Sequence, residues 1–160
     1  MINTKNIILN IFPIILSLIN CKIATPFIGE NFGTKLKKGI DPDKKVLLVI
    51  THAKINQNKN TNLFWSNVNK VKNDIQKNPG FIGFSIRRKL LGSEVWTMTA
   101  WEDESSLENF IYNRTHEKAV EQSSDTLDLN QSIRLELPRK KIPIPWEEAE
   151  IELEKKYAKK

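Results

Sequence analysis

Residues 81–119 read FIGFSIRRKLLGSEVWTMTAWEDESSLENFIYNRTHEKA. Two runs rich in aromatic and β-branched residues, 81–91 and 94–102, are separated by the dipeptide Gly-Ser at 92–93. This pattern predicts a β-hairpin with a tight turn. Asp103 follows at once and is a preferred helix N-cap residue, so a helix is predicted to start there.

The segments on either side extend the pattern. Residues 46–53 form an apolar strand, and Thr61 is predicted to cap a helix that Asn-Pro-Gly at 78–80 ends. A polar link, 123–131, precedes a last strand, 133–137. The helix carries an apolar stripe at helical spacing, made of Phe64, Val68, Val71 and Ile75. The resulting order, β-α-β-β-α-β, predicts an α+β, ferredoxin-like domain over 46–138.

A hairpin whose second strand ends in Trp101-Glu102-Asp103 and runs into an amphipathic helix resembles the antibiotic-biosynthesis-monooxygenase type of dimeric α/β barrel, over roughly residues 46–137. The resemblance implies a homodimer and a small aromatic or quinone-like ligand. It also implies oxidation by oxygen without metal or flavin. Haem-degrading relatives use an Asn, a Trp and an iron-ligating His, and the Trp and His positions fall at Phe110 and near Val120. Haem is therefore not favoured.

The first strand carries a further prediction. Residues 46–50 are all apolar and do not alternate with polar residues, which indicates a strand buried on both faces. Either a second subunit or a C-terminal helix must cover the face opposite the two helices. The resemblance implies the subunit. Residues 139–160 are nevertheless predicted to form a docking helix, with a narrow stripe made of Trp146, Ala149, Leu153 and Tyr157.

The N-terminal segment predicts export. Lys5 precedes a short apolar run, 7–19, which is typical of a signal peptide and too short to span a membrane. Cys21 is the only cysteine and stands where a bacterial lipobox places its acylated residue, although Asn20 departs from the usual small residue. We therefore predict a signal peptide at 1–20, a lipidated Cys21 followed by a tether or arm to residue 45, and a location on membranes of the bacterial cell envelope. The alternative is an ordinary signal peptide or an uncleaved anchor, in either case with a chance cysteine.

The formal net charge is +6, but lysines are spread along the chain instead of forming one basic patch. The short clusters at 87–89 and 139–141 lie at predicted ends of elements, where charges are usually solvated. An exported domain of this kind is not expected to bind nucleic acid. Contact of its basic residues with anionic lipid headgroups stays open.

Two histidines are the candidate catalytic residues. His116 is predicted to follow a helix break at 113–115 and to lie in the first turn of a segment capped by Thr115, where the helix dipole favours a neutral imidazole. His52 lies in phase with the apolar residues of its strand. Either one is equally explained as a structural residue. The sequence lacks paired-cysteine metal motifs, HExxH and phosphate-binding glycine loops.

The remaining candidates are pocket residues, namely Trp65, Arg87, Trp96, Trp101 and Phe110. Each aromatic residue is also plausible core material, and an arginine at a strand end is usually solvated. Three readings stay open: a barrel that binds and oxidises an aromatic molecule, a non-catalytic envelope lipoprotein that binds a ligand or protein, and a haem-handling protein.

Overall fold

The computed structural model describes residues 21–158. The predicted signal peptide, residues 1–20, lies outside them. The described strands are β1 (Lys22–Ala24), β2 (Ile28–Gly29), β3 (Lys45–Ile55), β4 (Phe81–Lys89), β5 (Glu94–Trp101) and β6 (Leu127–Pro138). The described α-helices are α1 (Thr61–Ile75), α2 (Glu104–Ile111), α3 (Arg114–Ser123) and α4 (Trp146–Tyr157).

The strands form one antiparallel sheet in the order β1-β4-β5-β3-β6, with β2 also paired to β4. From β3 to β6 the elements follow the β-α-β-β-α-β order, and the two middle strands of the sheet are β5 and β3. This confirms the predicted ferredoxin-like, α+β fold. The predicted hairpin is β4–β5, and residues 90–93 link its two strands.

Helices α1 and α2 cover one face of the sheet. Trp101 is completely buried there and packs with Leu107 and Phe110 of α2. Helix α3 is held against α1 by a buried hydrogen bond, in which the Asn67 side-chain amide donates to the Ser123 hydroxyl at 3.2 Å. This side of the sheet is therefore a packed core, and it contains residues of the apolar helical stripe that was predicted from the sequence.

The opposite face is covered by the chain itself. The stripe predicted on the C-terminal helix faces this side, where Ala149 and Leu153 are buried and Trp146 and Tyr157 pack at the edge. Beneath α4 lie the apolar residues of β3, β5 and β6, including Val46, Leu48, Ile50, Met98, Ala100 and Ile133. The docking-helix prediction is confirmed, and the strands are buried on both faces as expected.

Of the two ways to cover this face, the resemblance implied a second subunit, whereas the structure uses α4 together with the N-terminal arm. The arm is not a free tether. It adds β1 and β2 to the edge of the sheet, and Phe32 is buried in the same core. Gly83 permits this contact, because a Cβ there would stand 2.4 Å from Cε1 of Phe27 and 2.8 Å from the carbonyl oxygen of Ile28.

Three boundaries differ from the sequence prediction. The N-cap of α1 is Asn60, not Thr61, and the N-cap of α3 is Asn113, not Thr115; in both cases an amide oxygen accepts the backbone N–H three residues on. Strand β6 begins at Leu127, inside the segment read as a polar link. Strand β6 is an edge strand with one exposed side, so polar and apolar residues alternate along it. Its hydrogen bonding to β3 continues through these polar residues.

The Trp-Glu-Asp motif has a structural explanation at each position. The Trp101 indole N–H donates to Thr99 Oγ1 at 3.1 Å inside the core. Glu102 pairs with the buried Arg139 and with Lys44. Burial alone raises the pKa of Glu102, but the hydrogen bonds and charges of both cations together hold it below its ordinary value. Asp103 caps α2 through Ser106, as predicted.

Replacing Leu153 with Ala tests whether α4 is part of the folded unit. Leu153 is 4% exposed, whereas Ile151 on the same helix is 51% exposed. We expect Leu153→Ala to lower the free energy of unfolding by about 2–5 kcal/mol. The matched Ile151→Ala variant should change it by less than about 0.5 kcal/mol. Urea titration of both variants measures the difference, and equal effects would show that α4 does not pack on the sheet.

Replacing Asp103 with Ala tests the helix cap and its pH dependence. Hydrogen bonds from the Ser106 hydroxyl and backbone N–H lower the pKa of Asp103, so the folded state gains stability once the carboxyl ionises and loses it as pH falls. We expect Asp103→Ala to cost about 1 kcal/mol near neutral pH. The difference from the unsubstituted protein should shrink below about pH 4. Glu108→Ala on the same helix is the control, and a pH-independent difference would contradict the assignment.

Candidate functional site

His52 lies in a row of side chains that crosses the sheet on the α4 side. In the strand register it stands between Gln131 of β6 and Trp96 of β5. Trp96 in turn pairs with Arg87 of β4. Because cross-strand neighbours on one face of a sheet are in contact, the structure brings together three residues predicted separately: His52, Trp96 and Arg87.

The imidazole of His52 is fixed by two contacts. Its ring stacks on Trp96 with centroids 4.5 Å apart and planes only 5° from parallel. Its Nε2 atom lies 3.1 Å from Oε2 of Glu94. The other carboxylate oxygen of Glu94 accepts a hydrogen bond from the Lys89 ammonium at 2.6 Å. The result is a Lys-Glu-His chain that holds the ring in one orientation.

Glu94 is the acceptor in this chain. Its burial, the largest single influence, raises its pKa, but the hydrogen bonds and charges of Lys89 and His52 together lower the pKa below the ordinary value. An ionised carboxylate accepts the Nε2–H of His52 and so favours the tautomer whose lone pair is on Nδ1. Within the described residues, no hydrogen bond occupies that Nδ1 atom.

A cleft of about 330 Å³ opens beside this row, between the sheet and the last turn of α4. It is lined by Lys22, His52, Glu94, Trp96, Gln131, Glu150, Leu153, Glu154, Tyr157 and Ala158. The Lys22 ammonium lies 4.7 Å from the centroid of the Trp96 ring and is paired with Glu150. The size matches the lower end of small-molecule sites in proteins.

Arg87 ties the edge of this cleft to α4. Its Nη2 atom lies 3.1 Å from Oε1 of Glu147. Its Nη1 atom lies 3.2 Å from Oε1 of Glu150, an ion-pair distance without hydrogen-bond alignment. Arg87 is therefore a bridge between β4 and the helix, and its charge is already neutralised by carboxylates. It is not available to bind an anionic ligand, as the sequence had allowed.

The arrangement can serve as a general base. In its neutral form, an imidazole whose tautomer is set by a carboxylate can accept a proton from a bound hydroxyl group. The Trp96 indole is 4% exposed and stacks on His52, so it holds that imidazole in place, while the Lys22 ammonium is paired with Glu150. Among residues 21–158, no group of three or more His, Cys, Asp or Glu side chains is placed to hold a metal ion.

His116 lies on the other side of the sheet. Its ring contacts Phe110, with centroids 4.6 Å apart, and Phe110 stacks on Trp101. Burial lowers the pKa of His116, despite a hydrogen bond between Nδ1 and the carbonyl oxygen of Ile111 at 3.0 Å. The imidazole is thus neutral, as predicted, although burial and not the helix dipole is the main cause.

Trp65 lies apart from both His52 and His116. It packs edge-on against Phe64, with ring centroids 5.2 Å apart. It lines a second cavity, of about 400 Å³, between α1 and the end of the β4–β5 hairpin. Glu94 lines both cavities.

The predicted site residues therefore divide into three groups, and a single site that contains both histidines is excluded because the sheet separates them. Sequence reasoning also missed Lys22, Lys89, Glu94 and Glu150. A signal existed for Glu94, which stands in phase with Trp96 and Met98 on an otherwise apolar strand face. None existed for Lys22, because only the pairing of β1 with β4 carries it to Trp96.

Sequence comparisons with protein-family models and with curated proteins find no match. Solved structures do match. A conserved protein from Methanosarcina mazei Go1 has a TM-score of 0.53 at 17% identity, covering 59% of this chain and 94% of its own. For an antibiotic biosynthesis monooxygenase-type protein from Nitrosomonas europaea, the TM-score is 0.52 at 12% identity, with 56% and 88% covered.

SnoaB from Streptomyces nogalater, a cofactor-independent oxygenase, has a TM-score of 0.51 at 11% identity, covering 62% of this chain and 98% of its own. At such low identities the similarity shows a shared fold and not a shared reaction. The described chain therefore shares its ferredoxin-like, α+β fold with these proteins.

Proposed function

We propose that this chain is an exported, lipid-anchored protein of the bacterial cell envelope that binds a small aromatic or quinone-like molecule in the His52 cleft and oxidises it with oxygen, without metal or flavin. The observation that carries the proposal is the cleft of about 330 Å³ in which the Lys89-Glu94-His52 chain lies beside the Trp96 ring. The cofactor-independent chemistry described for SnoaB, which shares the fold, supports the reaction type.

In this proposal the ligand lies in the cleft and places a hydroxyl group at His52. His52 accepts the phenolic proton at Nδ1, while Glu94 holds the opposite ring nitrogen and stabilises the imidazolium. A phenolate is far more electron-rich than the phenol, which is the property that direct reaction with oxygen requires.

The alternative function is a non-catalytic envelope lipoprotein that only binds its ligand. One observation favours it: the helix side of the sheet is filled by Trp101, Phe110 and His116, so two of the predicted pocket residues and one candidate base are packed against each other. The His52 cleft is then the single ligand site that the two functions share, and oxygen consumption distinguishes them.

A homodimer stays a prediction. Because α4 covers the sheet face that the resemblance assigned to a second subunit, a face-to-face barrel requires α4 to leave that face, for example by exchange between two copies. A dimer that keeps α4 in place must use another surface.

His52→Gln tests the site, with His116→Gln as the matched control. The probes are 1-naphthol and 1,4-naphthoquinone, with binding measured by calorimetry and turnover by oxygen uptake. We expect His52→Gln to weaken 1-naphthol binding by about tenfold, since it removes one hydrogen bond. Oxygen uptake with 1-naphthol should fall by about a hundredfold, since it removes the base. His116→Gln should change neither.

Other outcomes decide between the readings. Binding of either probe without oxygen uptake by the unsubstituted protein would support the non-catalytic alternative. Loss of binding in His116→Gln, with binding retained in His52→Gln, would show that the cleft is not the site.

Cys21→Ser tests the anchor. If the Cys21 thiol is acylated, mass spectrometry of the membrane fraction should find a chain that begins at residue 21 with a diacylglyceryl mass, and Cys21→Ser should abolish it. Asn20→Gly, which restores the usual small residue, should increase the processed fraction. An unprocessed chain that stays in the membrane fraction in all three forms would instead indicate that the apolar run 7–19 is the anchor.

A further inference from the structure

The tip of the β4–β5 hairpin, residues 90–93, carries two large apolar side chains in water. Leu90 is 42% exposed and Leu91 is 53% exposed. Hairpin tips are normally built from Gly, Asn, Asp and Ser, and neither leucine belongs to the described hydrophobic clusters. The two adjacent leucine side chains therefore add apolar surface at the tip without belonging to a hydrophobic cluster of the described chain, which is the property of a candidate contact surface.

The N-terminal strand brings a third apolar residue to the same place. Strand β1 pairs with β4 in a register that sets Ile23 opposite Arg88. Ile23 lies on this edge strand and is 46% exposed. Together, Cys21, Ile23, Arg88, Leu90 and Leu91 form what we call the tip surface.

Cys21 connects this surface to the segment that precedes it. The Leu90 backbone N–H donates to the Cys21 carbonyl oxygen at 2.8 Å, so the chain enters the domain directly at the hairpin tip. An anchor attached at this point, whether acyl groups on Cys21 or the apolar run 7–19 itself, holds the tip against the lipid.

The charges beside the tip match an anionic bilayer. Arg88 and Lys54 are both exposed. Lys54 lies near the tip at the end of β3, where the backbone N–H of its neighbour Ile55 donates to the Ser93 carbonyl oxygen at 2.9 Å. Neither cation has an ion-pair partner within residues 21–158. The nearby Glu94 is already paired with Lys89. Free cations around exposed leucines are the combination that binds anionic lipid headgroups.

We propose that the tip surface docks on the anionic lipid bilayer, with Leu90 and Leu91 inserted among the lipids and Arg88 and Lys54 at the headgroups. The proposal rests on the membrane anchoring proposed above and adds an orientation to it. The cavity of about 400 Å³ beside Trp65 is lined by Arg88, Leu90 and Gly92, so docking places its opening at the membrane surface.

The test uses the full chain in vesicles of phosphatidylcholine and phosphatidylglycerol in equal parts. A solvent-sensitive fluorescent amino acid replaces Leu91, or one of the control residues Val120 and Ile151, which are equally exposed on α3 and α4. We expect a blue-shifted emission, quenched by lipid-attached nitroxide, at position 91 alone. Arg88→Gln with Lys54→Gln should lower the equilibrium constant for docking by about fivefold for each charge removed, which is measured as a smaller fraction of molecules with shifted emission. Arg114→Gln with Lys118→Gln, two exposed cations on α3, should not.

Three results overturn the proposal. If the protein floats with the vesicles but position 91 is as accessible to a water-soluble quencher as position 120, the tip does not dock and the anchor alone holds the protein. If the protein does not float at all, both the docking and the anchoring are wrong. If position 91 shifts without vesicles as protein concentration rises, the tip surface instead joins two copies of the chain.

Discussion

The second face of the central strands has to be removed from water, and the rest of the structure depends on how this is done. Leu48, Ile50, Met98 and Ala100 on that face are completely buried. Covering apolar area is worth roughly 25 cal/mol per Å², so an uncovered face of this size would not leave a stable domain. Helix α4 and the N-terminal arm, which contributes Phe32, supply the cover.

The candidate site follows from this cover. Helix α4 lies over the apolar part of the face, and at its last turn the sheet continues into polar residues, where His52, Glu94 and Lys22 meet. The cleft exists because the helix brings Glu150 and Tyr157 over a row of the sheet that already contains His52 and Trp96. An imidazole, a carboxylate and an ammonium group are held there by strands, which are rigid supports for chemistry.

The same geometry links site and membrane. Glu94 begins β5 at the end of the hairpin whose tip carries Leu90 and Leu91, and it lines both cavities. If the tip surface docks on lipid, both openings lie at the end of the domain that faces the bilayer. The proposed anchor and the proposed aromatic or quinone-like ligand are consistent with each other, because such molecules partition into membranes.

The Trp101-Glu102-Asp103 motif, from which the fold was predicted, stabilises that fold. Trp101 fills the helix-side core, Glu102 pairs with the buried Arg139, and Asp103 caps α2. These roles depend on local order and burial, which periodicity and capping rules describe, and for this reason the hairpin and helices were predictable. Strand β6 was predicted too short because its pairing with β3, and not its composition, makes residues 127–132 a strand.

By itself the sequence determined the order of helices and strands from β3 onward, the apolar stripe of α4 and the break before His116, because each depends on residues close together in the chain. Only the tertiary structure decided which candidates share a site. Strand register places His52 beside Trp96 and Glu94, and the sheet separates His52 from His116. It also decided that α4 covers the second face. The apolar pattern along the chain shows that this face is buried, but it does not show whether a helix of the same chain or a second subunit buries it.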